Sequence, residues 1–116
     1  MTCFVVEDAV TLRRLLCRKL RRLGMVVSEA GNGQEAVDML TAPGAILPDL
    51  VLLDNMMPVK NGVDAIREVR AAGLEALVVV GFTANALDED QQVFKAAGVN
   101  EVLTKPLEDK ALFAIL

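Results

Sequence analysis

Apolar positions along this chain follow two alternating spacings. Short, nearly continuous runs rich in Val and Leu occupy residues 3–6, 25–28, 50–53, 77–82 and 99–103. Unbroken runs of this length, rather than strict alternation, suit strands covered on both faces of a parallel sheet. Between them the spacing lengthens to the three-and-four repeat of a helix with one buried stripe. The clearest stretch is 11–23, where Leu12, Leu15, Leu16, Leu20 and Leu23 fall on one stripe and Gly24 stands at the stop. A second helix is expected over 34–40, with Ala36, Val37 and Leu40 inward. A third covers 63–72, with Ile66 and Val69 inward, closed by Gly73. A fourth covers 87–97, with Val93, Phe94 and Ala97 inward, closed by Gly98. The last begins near Glu108 and runs to the end of the sequence.

Five strands alternating with helices predict an α/β fold, a doubly wound five-stranded parallel sheet with helices on both faces, because crossovers between parallel strands are right-handed. At 116 residues the sequence fits one domain. Residues 41–49, with Pro43, Gly44 and Pro48, read as a loop. Composition then narrows the chemistry. With 53% apolar and 24% charged residues the chain can bury a core. It has no His, which excludes Ser-His-Asp and Cys-His machinery and histidine-ligated zinc. Cys3 and Cys17 read as reduced, small hydrophobes, with a bridge between them left open, which favours a cytoplasmic setting. The apolar run 76–82 is too short to span a bilayer, and the first residues lack a signal-peptide pattern.

Ligands of such sheets bind at the carboxyl ends of the strands. Glu7 and Asp8 follow the first strand, Asp54 the third, Thr83 the fourth, and Lys105 with Pro106 the fifth. Three carboxylates gathered at one rim repel one another, and Lys105 leaves the group net negative by two. A divalent metal balances that charge, and oxygen-only ligands with room for water and phosphate suit Mg²⁺. The rim can hold a metal and a phosphoryl group together, with Asp54 as nucleophile, Thr83 as hydrogen-bond donor and Lys105 as charge clamp. Taken singly, each of these residues reads as a cap, a turn residue or a surface charge; only their joint placement points to a site.

The segments Phe4-Val-Val-Glu-Asp8, Leu52-Leu-Asp-Asn-Met-Met-Pro-Val-Lys-Asn-Gly62, Phe82-Thr-Ala84 and Leu103-Thr-Lys-Pro106 resemble the receiver domains of two-component response regulators. The resemblance covers essentially the whole chain, 1–116, with the last helix cut short at its C-terminal end. It implies a flavodoxin-like strand order 2-1-3-4-5 and phosphorylation of Asp54. It implies Mg²⁺ held by Asp8, by Asp54, by Glu7 through water and by the backbone carbonyl of Met56. Thr83 and Lys105 would contact the phosphoryl oxygens, with Ala84 beside them and a cis Lys105–Pro106 bond, while Pro58 and Gly62 shape the loop after Asp54. The phosphoryl donor would be a phosphohistidine on a histidine kinase or phosphotransfer protein, and the domain would turn over no small-molecule substrate. Two features depart from the family pattern. Glu7 replaces the commoner Asp, and Val102 stands where many receivers carry a switch aromatic. Phosphorylation is therefore expected to move the fourth strand and the following loop without a ring flip, or to signal weakly; large shifts confined to Val102 and the last strand on titration with a phosphate analogue would count against this. Residues 83–86 and Val102 resemble receivers attached to hybrid histidine kinases.

Two other readings compete with this one. A phosphatase of the haloacid dehalogenase kind needs a second Asp two residues after the nucleophile, where this chain has Met56. A receiver-like interaction domain that signals without phosphate would not need Asp54, Thr83 and Lys105 intact, although Val102 leaves it some room. Two further motifs carry weaker signals. Gly31-Asn-Gly-Gln-Glu-Ala36 matches a dinucleotide fingerprint but follows the second strand, so it reads as a turn and helix start. Arg13, Arg14, Arg18, Lys19, Arg21 and Arg22 make the first helix basic on the face expected opposite the leucines. With a net charge of −4 and few aromatics, direct nucleic-acid binding is not expected, nor is membrane insertion. Arg14 and Arg18 are instead the expected docking positions for an acidic phosphodonor partner.

Overall fold

The computed structural model describes residues 1–84, 87–105, Lys110 and Ala114. Strands and helices alternate in the order β1 (Thr2–Val6), α1 (Val10–Arg22), β2 (Val26–Ala30), α2 (Gly33–Thr41), β3 (Leu50–Asp54), α3 (Gly62–Ala71), β4 (Val79–Thr83), α4 (Asp88–Ala97) and β5 (Glu101–Thr104). The strands form one parallel sheet in the order β2-β1-β3-β4-β5, so the winding reverses between β1 and β3. Side chains on successive strand residues point to opposite faces, and this divides the core in two. Phe4, Val6, Val51, Leu53 and Val79 pack with α2, α3 and α4. Cys3, Val5, Leu50, Leu52, Val80 and Phe82 pack with Leu16, Cys17 and Leu20 of α1. Of the helix expected from Glu108 onward, only Lys110 and Ala114 are among the described residues, both helical.

The central strands are buried along nearly their whole length, as their unbroken apolar runs require, whereas the outer strand β2 is largely exposed, with Val26 70% exposed. Two helix faces differ from the expected stripes. Leu15 and Leu23 of the first helix are exposed, because the line that meets the sheet runs through Leu16, Cys17 and Leu20. Val93 of α4 is likewise exposed, beside buried Phe94 and Ala97. Both cysteines are free and buried, and burial, with Cys17 nearby, pushes the Cys3 thiol up to about 12. They are inert core residues. Among the described residues no helix is long and apolar enough to cross a membrane.

Two asparagines start helices next to the rim. Asn32 accepts the Glu35 N–H at the start of α2, and Asn61 accepts the Asp64 N–H at the start of α3. Gly33 sits against the loop after β3: its N–H donates to the Lys60 carbonyl at 3.1 Å, and a Cβ there would lie 2.3 Å from that oxygen. The glycine motif of the second helix thus serves a helix start and a close backbone approach.

Candidate functional site

Register sets the site. Val6 pairs with Leu53, Asp54 with Phe82 and Thr83 with Thr104, so the carboxyl ends of β1, β3, β4 and β5 reach one rim. Glu7, Asp54 and Thr83 are almost fully buried there, while Asp8 is exposed. One oxygen from each of Glu7, Asp8 and Asp54 lies within 4.8 Å of the others. Lys105 reaches over from the end of β5, its Nζ 3.4 Å from Glu7 Oε2 and 3.3 Å from Asp54 Oδ1. It also sits 5.3 Å from the centre of the Phe82 ring. The Lys105 N–H donates to the Thr83 carbonyl at 2.8 Å, which fastens the lysine to the end of β4.

The buried carboxylates are short of donors. Glu7 Oε1 accepts the Ala9 N–H at 3.2 Å, but Glu7 Oε2 and both oxygens of Asp54 have no hydrogen-bond donor among the described residues. Lys105 answers one negative charge of the pair and leaves the other. Burial first, then the adjacent Asp54 carboxylate, push Glu7 up to about 7, against the smaller opposing pull of the Ala9 N–H and Lys105. Three carboxylates supplying only oxygen, with buried lone pairs unfilled, fit a hard divalent cation. These residues could hold one.

Stability should therefore depend on pH. Without a divalent cation, folded Glu7 holds its proton up to about pH 7, whereas its ordinary value is 4.5. The folded chain binds more protons than the unfolded chain across that window, so stability falls as pH rises through it. By pH 8 the loss is on the order of 3 kcal/mol. Thermal unfolding in a chelator should show the melting temperature dropping between pH 5 and 8. Millimolar Mg²⁺ should restore much of the loss at pH 8, and Glu7→Gln should flatten the profile. A profile as steep in Glu7→Gln as in the native chain would contradict this.

Neighbouring residues hold the rim in shape. Arg13, expected on the solvated face, instead turns inward: its Nη1 donates to the Glu7 carbonyl and its Nε to Glu29, both at 2.9 Å. The loop after Asp54 closes through the Gly62 N–H on the Asn55 carbonyl, and its turn places Val59 at φ 69°, with the Lys60 N–H on the Pro58 carbonyl. Met56 is 71% exposed at the mouth of the site. Val102 is buried in β5 opposite Gly81, Ala84 is exposed after β4, and Arg14 and Arg18 are exposed on α1. Pro106 and its peptide bond lie outside the described residues. The inward turn of Arg13, the Phe82 ring beside Lys105 and the Lys60 carbonyl on Gly33 have no signature in the sequence. An arginine among six basic residues on one helix carries no mark of which one turns inward.

A family model, the response regulator receiver domain, matches residues 3–116. The chain belongs to this family. As a receiver domain it is a part of two-component phosphorelay signalling. It is 34% identical over 116 residues to the two-component response regulator 24 of Arabidopsis thaliana, covering all of this chain and 81% of that protein. It superposes on the receiver domain of the sensor histidine kinase PA1611 from Pseudomonas aeruginosa, solved with magnesium in the active-site cleft. There the TM-score is 0.86, at 32% identity over 98% of this chain and 92% of that one. A similar match, with TM-score 0.86 and 27% identity over 97% of this receiver domain and 83% of that chain, comes from a Saccharomyces cerevisiae complex. It joins the histidine phosphotransfer protein Ypd1 to the receiver domain of Ssk1.

Proposed function

We propose that this receiver domain takes a phosphoryl group onto the Asp54 carboxylate from a phosphohistidine of a histidine kinase or phosphotransfer protein, and so switches its protein contacts. The observation that carries this reading is a buried Asp54 with both oxygens lacking donors, 3.3 Å from the Lys105 ammonium and within a cluster of acids. One Asp54 oxygen attacks phosphorus as the P–N bond to the donor imidazole breaks. The imidazole leaves with the bond's electron pair and takes a proton, and Asp54 becomes an acyl phosphate. Lys105 stabilises charge on the phosphoryl oxygens, and Thr83, buried beside it, donates a hydrogen bond to one of them. Asp8, Asp54, Glu7 and the backbone carbonyl of Met56 would hold Mg²⁺. That ion, when bound, neutralises the gathered carboxylates and the incoming phosphoryl charge. The domain promotes its own phosphorylation and slow dephosphorylation and turns over no small-molecule substrate. Free Cys3 and Cys17 support a cytoplasmic setting for it.

The test is incubation with Mg²⁺ and a small acyl phosphate, followed by intact mass and borohydride reduction to locate the modified carboxylate. Gain of one phosphoryl group, reduced at Asp54, is expected. No gain would favour a receiver-like domain that signals without phosphate, and modification elsewhere would displace Asp54.

Arg14 and Arg18, both exposed, are the proposed contacts for the phosphodonor protein. Reversing both, Arg14→Glu with Arg18→Glu, should slow phosphotransfer from the protein donor about tenfold or more and leave uptake from acyl phosphate unchanged. Equal slowing from both donors would place the effect at Asp54 instead of at docking.

A further inference from the structure

We propose that the open edge of β2, with the arginine groove beside it, is a docking site for an extended acidic segment of another protein, carrying Asp or Glu at alternate positions. The site is separate from Asp54 and goes beyond the phosphoacceptor reading, though it shares Arg14 and Arg18 with the surface proposed for the phosphodonor. β2 is an outer strand, and among the described residues no strand pairs with its far side. The Val26 N–H donates to the Met1 carbonyl and the Ala30 carbonyl accepts the Glu7 N–H, so residues 26, 28 and 30 turn their backbone groups toward β1. Because the pleat alternates, Val27 and Glu29 turn theirs outward. Arg21 confirms the direction, with Nη2 reaching the Val27 carbonyl at a long 3.4 Å. An incoming strand would displace that contact and gain the outward groups of both residues.

Charge selects the occupant. A groove of about 550 Å³ between α1 and β2 is lined by Arg14, Arg18, Arg21, Arg22 and Glu29. Glu29 is neutralised by Arg13 at 2.9 Å. Lys60, Arg67, Lys95 and Lys105 each have a carboxylate partner, but among the described residues Arg14, Arg18 and Arg22 have none. In a chain of net charge −4, three arginines without a carboxylate partner among the described residues thus lie along one edge. Their spacing matches a strand. Arginines four positions apart on a helix rise about 6 Å each. Same-face residues of a strand recur every 6.6 Å or so. Val27 and Glu29 face α1, so the same-face side chains of an added strand would meet this ladder of guanidinium groups. A nucleic-acid strand would supply phosphates but no N–H and C=O partners for the edge, and the groove offers no aromatic ring for its bases.

A fluorescent octapeptide alternating Glu and Thr tests the proposal on the native chain. It should bind, with an affinity that falls as salt rises, and slow hydrogen exchange at the Val27 and Glu29 amides. Arg18→Glu with Arg22→Glu should weaken it at least tenfold, and so should N-methylation of the peptide amides that face β2. Arg22→Glu alone should leave the unfolding midpoint and acyl-phosphate uptake unchanged. Binding indifferent to the arginine reversal or to N-methylation would overturn the proposal. So would an oligonucleotide of equal charge that bound more tightly and protected the same two amides.

Discussion

Asp54→Asn should abolish phosphoryl uptake and at the same time give a more stable fold. The amide is not a competent nucleophile, so uptake from acyl phosphate should fall at least a thousandfold. The gain in stability follows from the buried charges. In the native chain Glu7 and Asp54, each 1% exposed, share the single Lys105 ammonium. A neutral isostere leaves Glu7 and Lys105 as a balanced pair. The new amide nitrogen can also donate to Glu7 Oε2, which has no donor now. At pH 8 in a chelator the variant should be more stable by about 1–3 kcal/mol, a rise of roughly 5 °C or more in melting temperature. Its profile between pH 5 and 8 should flatten, because one cause of the upward displacement of Glu7 is gone. The stabilisation by Mg²⁺ should shrink for the same reason. A variant less stable than the native chain at pH 8 without metal would mean that the Asp54–Lys105 attraction outweighs the repulsion between the carboxylates.

The residues gathered at the rim were legible in the sequence because each ends or follows a short apolar run with the length and composition of a buried strand. Val79–Thr83, buried throughout, announces Thr83 as a strand end, and Leu50–Asp54 does the same for Asp54. The parallel order then makes strand ends converge without any knowledge of side-chain contacts. What the sequence left open depends on rotamers and on degrees of rotation about a helix axis. Leu15 and Leu16 are chemically alike, yet Leu16 is buried and Leu15 is 42% exposed. Arg13 and Arg14 are neighbours, yet one is turned in to the Glu7 carbonyl and the other faces solvent. Helical periodicity resolves a face but not its edges, and residues at the edge are decided by what packs beside them. The demands on glycine were equally hidden. Gly24 and Gly62 look alike in the sequence, one as a helix stop and one as part of a turn, but only the second is pressed against the backbone of the site.

That contrast gives the second large expected effect. Gly62→Ala should destabilise the chain by about 3 kcal/mol or more and displace Asp54 in whatever fraction still folds. An added Cβ at residue 62 would lie 2.4 Å from the Asp54 carbonyl oxygen, 2.9 Å from the Asn55 Cα and 3.0 Å from the Phe94 ring. Two of these neighbours are backbone and the third is a fully buried ring, so none can yield as the tip of a flexible side chain would. Withdrawal of residue 62 would break the 2.8 Å bond from its N–H to the Asn55 carbonyl. Movement of Asn55 instead would strain its own N–H bond to the Phe82 carbonyl at 3.1 Å, the link between the ends of β3 and β4. Either route moves Asp54 relative to Thr83 and Lys105. Gly24→Ala is the control: its φ of 87° disfavours a side chain, but nothing lies within 4 Å of the added atom. Its cost should be about 1–2 kcal/mol from backbone conformation alone, with no change in phosphoryl uptake. Urea unfolding of both variants, with uptake measured where each is fully folded, separates the two causes. Equal costs, or normal uptake by folded Gly62→Ala, would show that the loop after β3 does not hold the acceptor in place.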